Sequence, residues 1–254
     1  MAQRAGSAVP VTITALDEEV ARLGQALEDL TACRGAGLTL LHCARRSGER
    51  KLRKALCDEA HRRGFVTASV SLAEHHLDSP DALVRQLIAA LTPPGQSRAR
   101  GLLWLLERFY DEYGSDSAEQ FDKVASAAGA SEDLSALCRW YLSSDDPKPV
   151  PQLRAYDAWL EGKEPAKRYR HPDIRRPLTQ QTAQRVLAEL TRVIVALGHR
   201  GTLICLSEAD DIATRTDRQR EKAYTLMREL VDNFDSGRGA TATRIVVSGG
   251  DALV

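Results

Sequence analysis

Aromatic residues are scarce in this chain, 5% of 254 residues, with three Trp, six Tyr and four Phe. Aliphatic side chains must therefore fill most of any core. An excess of charge of one sign is lacking as well. Lys and Arg total 35, Asp and Glu total 35, and the formal net charge is zero. A free-standing nucleic-acid binder usually carries a basic surplus and an acidic tail protein the reverse, so neither class fits the composition. Cysteines are few: Cys33, Cys43, Cys57, Cys138 and Cys205, an odd total with no C-x-x-C pair. That excludes a secreted disulfide framework and a cysteine-based zinc site, and points to reduced, mostly buried thiols in a cytoplasmic protein. No apolar run approaches the roughly 18 residues of a membrane span. The opening MAQRAGSAVPVTITAL lacks the h-region of a signal peptide.

What remains is a globular composition, 43% apolar and 28% charged, long enough to bury a core without disulfides. Arg outnumbers Lys 28 to 7 and is spread along the chain, which reads as coding bias.

Hydrophobic periodicity orders the first third of the chain. Leu16, Val20, Leu23, Leu27 and Leu30 recur at helical spacing behind acidic Asp17, Glu18 and Glu19. A short apolar run, Leu38–Ala44, reads as a buried strand, followed by the loop Arg45-Arg46-Ser47-Gly48. A charged helix is expected from Glu49 to about Arg63, with Leu52, Ala55, Leu56 and Ala60 as its apolar side and Gly64 as its stop. Phe65–Leu72 is the second strand, and Ser79-Pro80-Asp81 opens a helix through Leu91. Strand, loop, helix, strand, helix is the opening of an α/β fold with a parallel sheet.

From 93 to 151 the texture changes to short helices, Leu102–Tyr113 and Leu134–Leu142, carrying Trp104, Phe109, Tyr110, Trp140 and Tyr141. This block reads as a helical insertion whose aromatics form a small core cluster rather than a ligand cage. A proline-bearing linker, Ser143–Pro151, closes it. The α/β pattern then resumes: a short helix around Trp159, a basic loop from Lys163 to Pro177, and a long amphipathic helix over 179–197. The strand Thr202–Leu206, a helix over Arg218–Asn233 and the strand Arg244–Ser248 follow. The expected organisation is 1–92 and 152–254 as two parts of one α/β domain, with 93–151 inserted between them.

Two places in this frame matter. In a phosphate-binding loop, the first strand runs into G-x-x-x-x-G-K-[ST], and backbone N–H groups at the helix N-terminus hold the phosphates. A later strand ends in an Asp, often followed by Glu, for magnesium and water. This chain has both frames and little of the chemistry.

Several segments together resemble the P-loop ATP-binding proteins of bacterial BREX phage-defence systems, an AAA+-like group. Ser47-Gly48-Glu49-Arg50-Lys51-Leu52-Arg53 is similar to that family's G-S-G-K-S-H-F-L-R-type loop, and Arg63-Gly64-Phe65-Val66 to the entry into its second strand. Ala158-Trp159-Leu160-Glu161-Gly162 resembles a W-L-x-G element, and Gly198–Glu208 a G-x-x-G, apolar strand and D-E. Arg220–Asp232 is similar to the A-Y-x-x-L-R-x-L-I-D helix. The resemblance covers about 15–92 and 152–254 and implies a three-layer P-loop NTPase-like parallel sheet with a helical insertion.

The departures from that family carry the functional expectation. In register, the loop's first glycine falls on Cys43, its lysine on Glu49 and its magnesium-binding hydroxyl on Arg50; only Gly48 is kept. The strand-end Asp falls on Ser207, with Glu208 retained. One unit charge pair at 4 Å is worth about 1 kcal/mol in water and about 4 at an effective dielectric of 20. Reversing the sign at Glu49 against a polyanion is thus a swing of several kcal/mol, and a millimolar ligand is held by only about 4. Glu49 is expected at a helix N-terminus, favoured there by roughly 0.3–1 kcal/mol, in the seat a phosphate would take. Sliding the register brings Arg50 or Lys51 forward, but neither precedes Ser or Thr.

The resemblance therefore implies a catalytically inactive ATPase homologue: a regulatory or scaffold subunit with a protein partner or oligomeric state. Ser47, Gly48, Glu49, Arg50, Lys51, Ser207 and Glu208 form a degenerate site, and ATP with magnesium enters only if that loop still binds. Two alternatives stand beside it. One is an atypical active ATPase using Glu208. The other is nucleic-acid binding through Arg45, Arg46, Arg53 and Arg62 in one stretch and Arg168, Arg170, Arg175 and Arg176 in another. The neutral total favours solvated helix faces for these arginines, paired at i,i+4 with Asp58 and Glu59. His75-His76 beside Glu74 and Asp78 make a poor metal site because adjacent side chains diverge. Asp210-Asp211 with Glu208 suit helix capping as well as acid–base work.

Overall fold

The computed structural model describes residues 11–12, 16–33, 35–43, 46–74, 79–95, 100–130, 133–144, 149–235 and 240–250. Among these, six strands form one sheet: β1 (Val11–Thr12), β2 (Ala36–His42), β3 (Phe65–Ser71), β4 (Leu91–Thr92), β5 (Gly201–Ser207) and β6 (Thr243–Gly249). The spatial order is β1-β2-β6-β5-β3-β4. Every neighbouring pair is parallel except β3 with β4, which is antiparallel.

Alternation along the strands sorts side chains to two faces. On one face Leu41, Phe65, Leu203, Cys205 and Val246 lie under α1 (Leu16–Cys33) and α2 (Arg46–Arg62). Leu27, Leu52 and Leu56 seal that layer with almost no exposure, each contributing about 1.5–3 kcal/mol of burial. On the other face Val66, Ala68, Val70, Ile204, Leu206, Ile245 and Val247 lie under α3 (Pro80–Ala90), α8 (Ala183–Ala196) and α9 (Asp217–Asp235). The arrangement is the three-layer α/β sandwich that the sequence implies.

The helical block comprises α4 (Leu102–Tyr113), α5 (Ser117–Ala128), α6 (Asp133–Leu142) and α7 (Val150–Leu160). Of the five aromatics read as a small cluster of its own, Phe109 and Tyr141 are buried and Trp104, Tyr110 and Trp140 only partly so, and they pack on the main core rather than forming a separate one. Phe109, Phe121, Tyr141, Tyr156 and Trp159 join the same buried cluster as α8 and the sheet residues beneath it. Phe109 and Phe121 meet edge-on at 6.5 Å between ring centres. The Trp159 indole N–H donates to the Arg176 carbonyl at 3.0 Å, satisfying its one polar atom inside the core.

The local differences from the sequence reading have physical causes. α5 is absent from that reading because SAEQFDKVASAA buries only Phe121, Ala125 and Ser117, too small a stripe to see. β4 occupies two residues assigned to a helix end or loop, held by Leu91 and Thr92 opposite Ala68 and Thr67. α7 begins inside the stretch read as linker, with Pro151 in its first turn where a missing N–H costs nothing. α2 begins at Arg46, three residues before the expected start.

One topological feature positions the site. β2 lies beside β6, but its crossover partner is β3, two strands further on. α2 must therefore run across the ends of β6 and β5, which sets its first turn against both strand tips.

Candidate functional site

Ligands of open parallel sheets bind outside the carboxyl ends of the strands, and there the chain places most of its degenerate P-loop residues. β2 ends at His42 and α2 starts at Arg46, so the connection is only three residues long. Gly48 is already helical, and a methyl built on it would meet nothing within 4 Å. The glycine retained from the P-loop frame thus serves no tight turn here. Of Arg46 and Ser47 only the helical backbone is described, and Arg45 lies outside the described residues.

Glu49 is 3% exposed. Its Oε1 accepts the Glu208 backbone N–H at 2.7 Å and the Ser248 hydroxyl at 2.7 Å. A single carboxylate in the first turn of α2 thereby ties together the tips of β5 and β6. The helix dipole favours a negative group at this end, and charge-assisted hydrogen bonds are the strong kind. Glu208 itself sits in the left-handed region, φ 60° and ψ 39°, a conformation that non-glycine residues seldom adopt. This turn aims its N–H at Glu49.

The floor of the seat is closed by protein. The Cys43 N–H donates to the Gly249 carbonyl at 2.8 Å. A methyl on Gly249 would lie 2.8 Å from the Asp210 nitrogen, so β6 can approach the Ala209–Thr214 turn this closely only with glycine. A methyl on Gly250 would meet the Asp210 carboxylate at 3.3 Å and the Cys43 carbonyl at 3.8 Å. The local potential is negative. Burial, then Glu49, then Asp210 push the Cys43 thiol up to about 11. The burial that is the main cause disfavours any anion there, and the Glu49 and Asp210 carboxylates add repulsion of a phosphate.

Glu208 and Ser207 turn away from this seat. The Ser71 hydroxyl donates to Glu208 Oε2, pulling that carboxylate onto β3. Ser207, 1% exposed, accepts from Arg53 Nη1 at 2.7 Å. Asp211 contributes its N–H to the Glu208 carbonyl at 3.1 Å, so the acidic run shapes a turn instead of assembling an acid–base pair. Among the described residues no group of His, Cys, Asp and Glu could hold a metal; His75, His76 and Asp78 lie outside them.

Beside the seat, α2 carries a second stripe next to its leucines: Arg53, Cys57 and His61. These meet Ser207, Cys205 and Thr67 in turn. His61 Nε2 lies 2.9 Å from the Thr67 hydroxyl and 3.1 Å from the Thr92 carbonyl oxygen. The Cys57 thiol lies below its ordinary value because Cys205 hydrogen-bonds to it, with Thr67 and the Arg53 charge adding to the effect. Cys205 is correspondingly raised. The stripe borders an open cleft of about 1100 Å³, which includes Arg50 and Lys51.

The family model of the BREX system ATP-binding protein BrxC/D matches residues 13–254. The chain belongs to this family. No curated protein and no solved structure matches it.

In this BREX-family chain parts of the two basic stretches line separate depressions, Arg53 in one and Arg175 and Arg176 in the other. In the first stretch, Arg62 pairs with the buried Glu59 at i,i+3, and Arg63 pairs with Glu59 at i,i+4 and with Glu28. Arg53 goes to the cleft. In the second, Arg170 pairs with Glu164 at 2.6 Å and Arg168 lies 4.6 Å over the Tyr169 ring. Arg175 and Arg176 donate their backbone N–H groups to Asp133 Oδ1 at 2.5 and 3.1 Å. Sequence reasoning named Glu49 but missed Ser248 and Ser71, whose hydroxyls give the two glutamates their partners. The available signal was a serine at the end of each strand.

Proposed function

We propose that this chain is a non-hydrolysing member of its family, a regulatory or scaffold subunit of a BREX-type phage-defence assembly in the cytoplasm. The observation that carries the reading is the Glu49 carboxylate, buried and doubly hydrogen-bonded where the P-loop lysine and the phosphates it holds would meet. Magnesium-ATP does not fit the residues present. The seat supplies a carboxylate, a raised thiol at Cys43 and the Asp210 carboxylate, and Arg50 stands where the magnesium-binding hydroxyl belongs. Ser207 replaces the strand-end Asp, and Glu208 is held on Ser71 rather than free to orient water.

A subunit of this kind contributes shape rather than turnover: its core and strand tips stay locked without nucleotide. Titration calorimetry with magnesium-ATP tests the proposal. No heat of binding up to millimolar ATP is expected; a dissociation constant in the micromolar range, with hydrolysis abolished by Glu208→Gln, would overturn it.

A further inference from the structure

The cleft beside the seat has the opposite electrostatic character. Five cations line it, Arg50, Lys51, Arg53, Lys54 and Arg100, against three carboxylates, Glu49, Glu74 and Glu208. Two of those three are engaged, Glu49 by Glu208 N–H and Ser248, and Glu208 by Ser71. Among the described residues, no carboxylate lies within ion-pair distance of any of the five cations, whereas Arg62 and Arg63 at the far end of α2 are paired. The expected i,i+4 partner of Lys54, Asp58, makes no bridge to it among these residues. Arg53 spends its hydrogen bond on the neutral Ser207 hydroxyl and keeps its charge uncompensated.

The cations also converge. Four come from α2, and Arg100 lines the same cleft alongside Ala90 and Thr92. Beside them the lining is polar because β3 turns Ser69 and Ser71 towards α2, while Val66, Ala68 and Val70 face the other way. Hydroxyls beside unpaired basic side chains suit phosphate oxygens. Among the described residues the lining holds no aromatic ring, so no described side chain there stacks on a base or selects one. A row of cations without an aromatic platform suits a nucleic-acid backbone rather than its bases.

We propose that this cleft binds single-stranded nucleic acid through its phosphodiester backbone, without base preference. The cleft adjoins the nucleotide seat and shares Glu49, Ser207 and Glu208 with it, but the proposal rests on the cations and the β3 hydroxyls and does not require ATP to bind or to be excluded there.

The test is fluorescence anisotropy of the full chain with a labelled oligothymidylate of about 20 nucleotides, longer than the roughly 4–16-nucleotide sites of single-strand binders. Because stacking contributes nothing, affinity should fall steeply with salt, at about −0.7 per neutralised phosphate and so a slope near −3 for four contacts. Lys54 and Arg100 are both exposed, so their replacement leaves the core intact. The pair Lys54→Gln with Arg100→Gln should weaken binding about tenfold and lower the slope by about 1.4. The matched pair Arg168→Gln with Arg170→Gln, in the other basic segment, should stay within twofold of the parent. Denaturation curves of both variants establish that each is folded. Four outcomes would overturn the proposal: no binding at low salt, loss in the Arg168/Arg170 pair instead, tighter binding of a duplex of equal length, or displacement of the strand by equimolar tripolyphosphate.

Discussion

The strand-tip seat and the cleft beside it are served by the same helix, one turn apart, and treat charge in opposite ways. Glu49 is buried and takes two donors from β5 and β6. Arg53, four residues on, reaches a hydroxyl and leaves its charge without a carboxylate among the described residues. A buried ion must be satisfied internally or it destabilises the fold; an ion at an open cleft is satisfied by water until a ligand replaces it. Compensation, rather than the sign of the residue, therefore separates the structural charge from the available one. The zero net charge of the chain is an average over two unlike places.

The largest test of that contrast removes the satisfied charge. Glu49→Ala deprives two donors of their acceptor and should cost about 3 kcal/mol in urea denaturation, and Glu49→Gln, which keeps one oxygen, about 1. Ser248→Ala should cost about 1 kcal/mol and show coupling to Glu49 in a double-mutant cycle. A loss below about 0.5 kcal/mol for Glu49→Ala would mean that the seat is closed by something else.

Thiol chemistry reports the two potentials next. Cys43 in the seat is pushed up to about 11, and Cys57 at the cleft is lowered. In a Cys33→Ser background, maleimide at pH 8 should label Cys57 at least tenfold faster than Cys43. Labelling of Cys43 should rise with pH up to about 11. Equal rates would contradict the difference in local potential. The smallest effect is expected at the available charge itself. Lys54→Met should change stability by less than about 1 kcal/mol, since an exposed cation with no carboxylate partner among the described residues contributes little to folding.

Much of this was legible in the residues, and the exceptions follow a rule. Repeating aliphatic positions such as Leu16, Leu23, Leu27 and Leu30, or Val186, Leu190 and Ile194, declare their helices because one buried face requires that period. The β3 and β5 runs declare strands for the same reason. Glu49 was legible as a reversed charge at a helix start, but its burial was not, because a helix start by itself does not say what packs over it. Its partners were not legible, because Glu208 and Ser248 lie 159 and 199 residues away along the chain. The early start of α2 was hidden behind Arg46-Ser47-Gly48, which local propensity reads as loop. The cleft was hidden by a different limitation: Thr67, Ser69 and Ser71 look like the solvent side of an edge strand until the topology places α2 over them.

The two bonds at Glu49 also have a bearing on the order in which the molecule is built. Each joins the first quarter of the chain to its last, so loop closure over most of the sequence must precede them. Until β6 has docked between β2 and β5, the first turn of α2 presents an unmatched carboxylate beside bare strand ends. The tips of the sheet are then an open slot whose final occupant is still to arrive. The lock at Glu49 is accordingly a late event, and it reports completion: α2 has its fixed seat only once β5 and β6 are both in place.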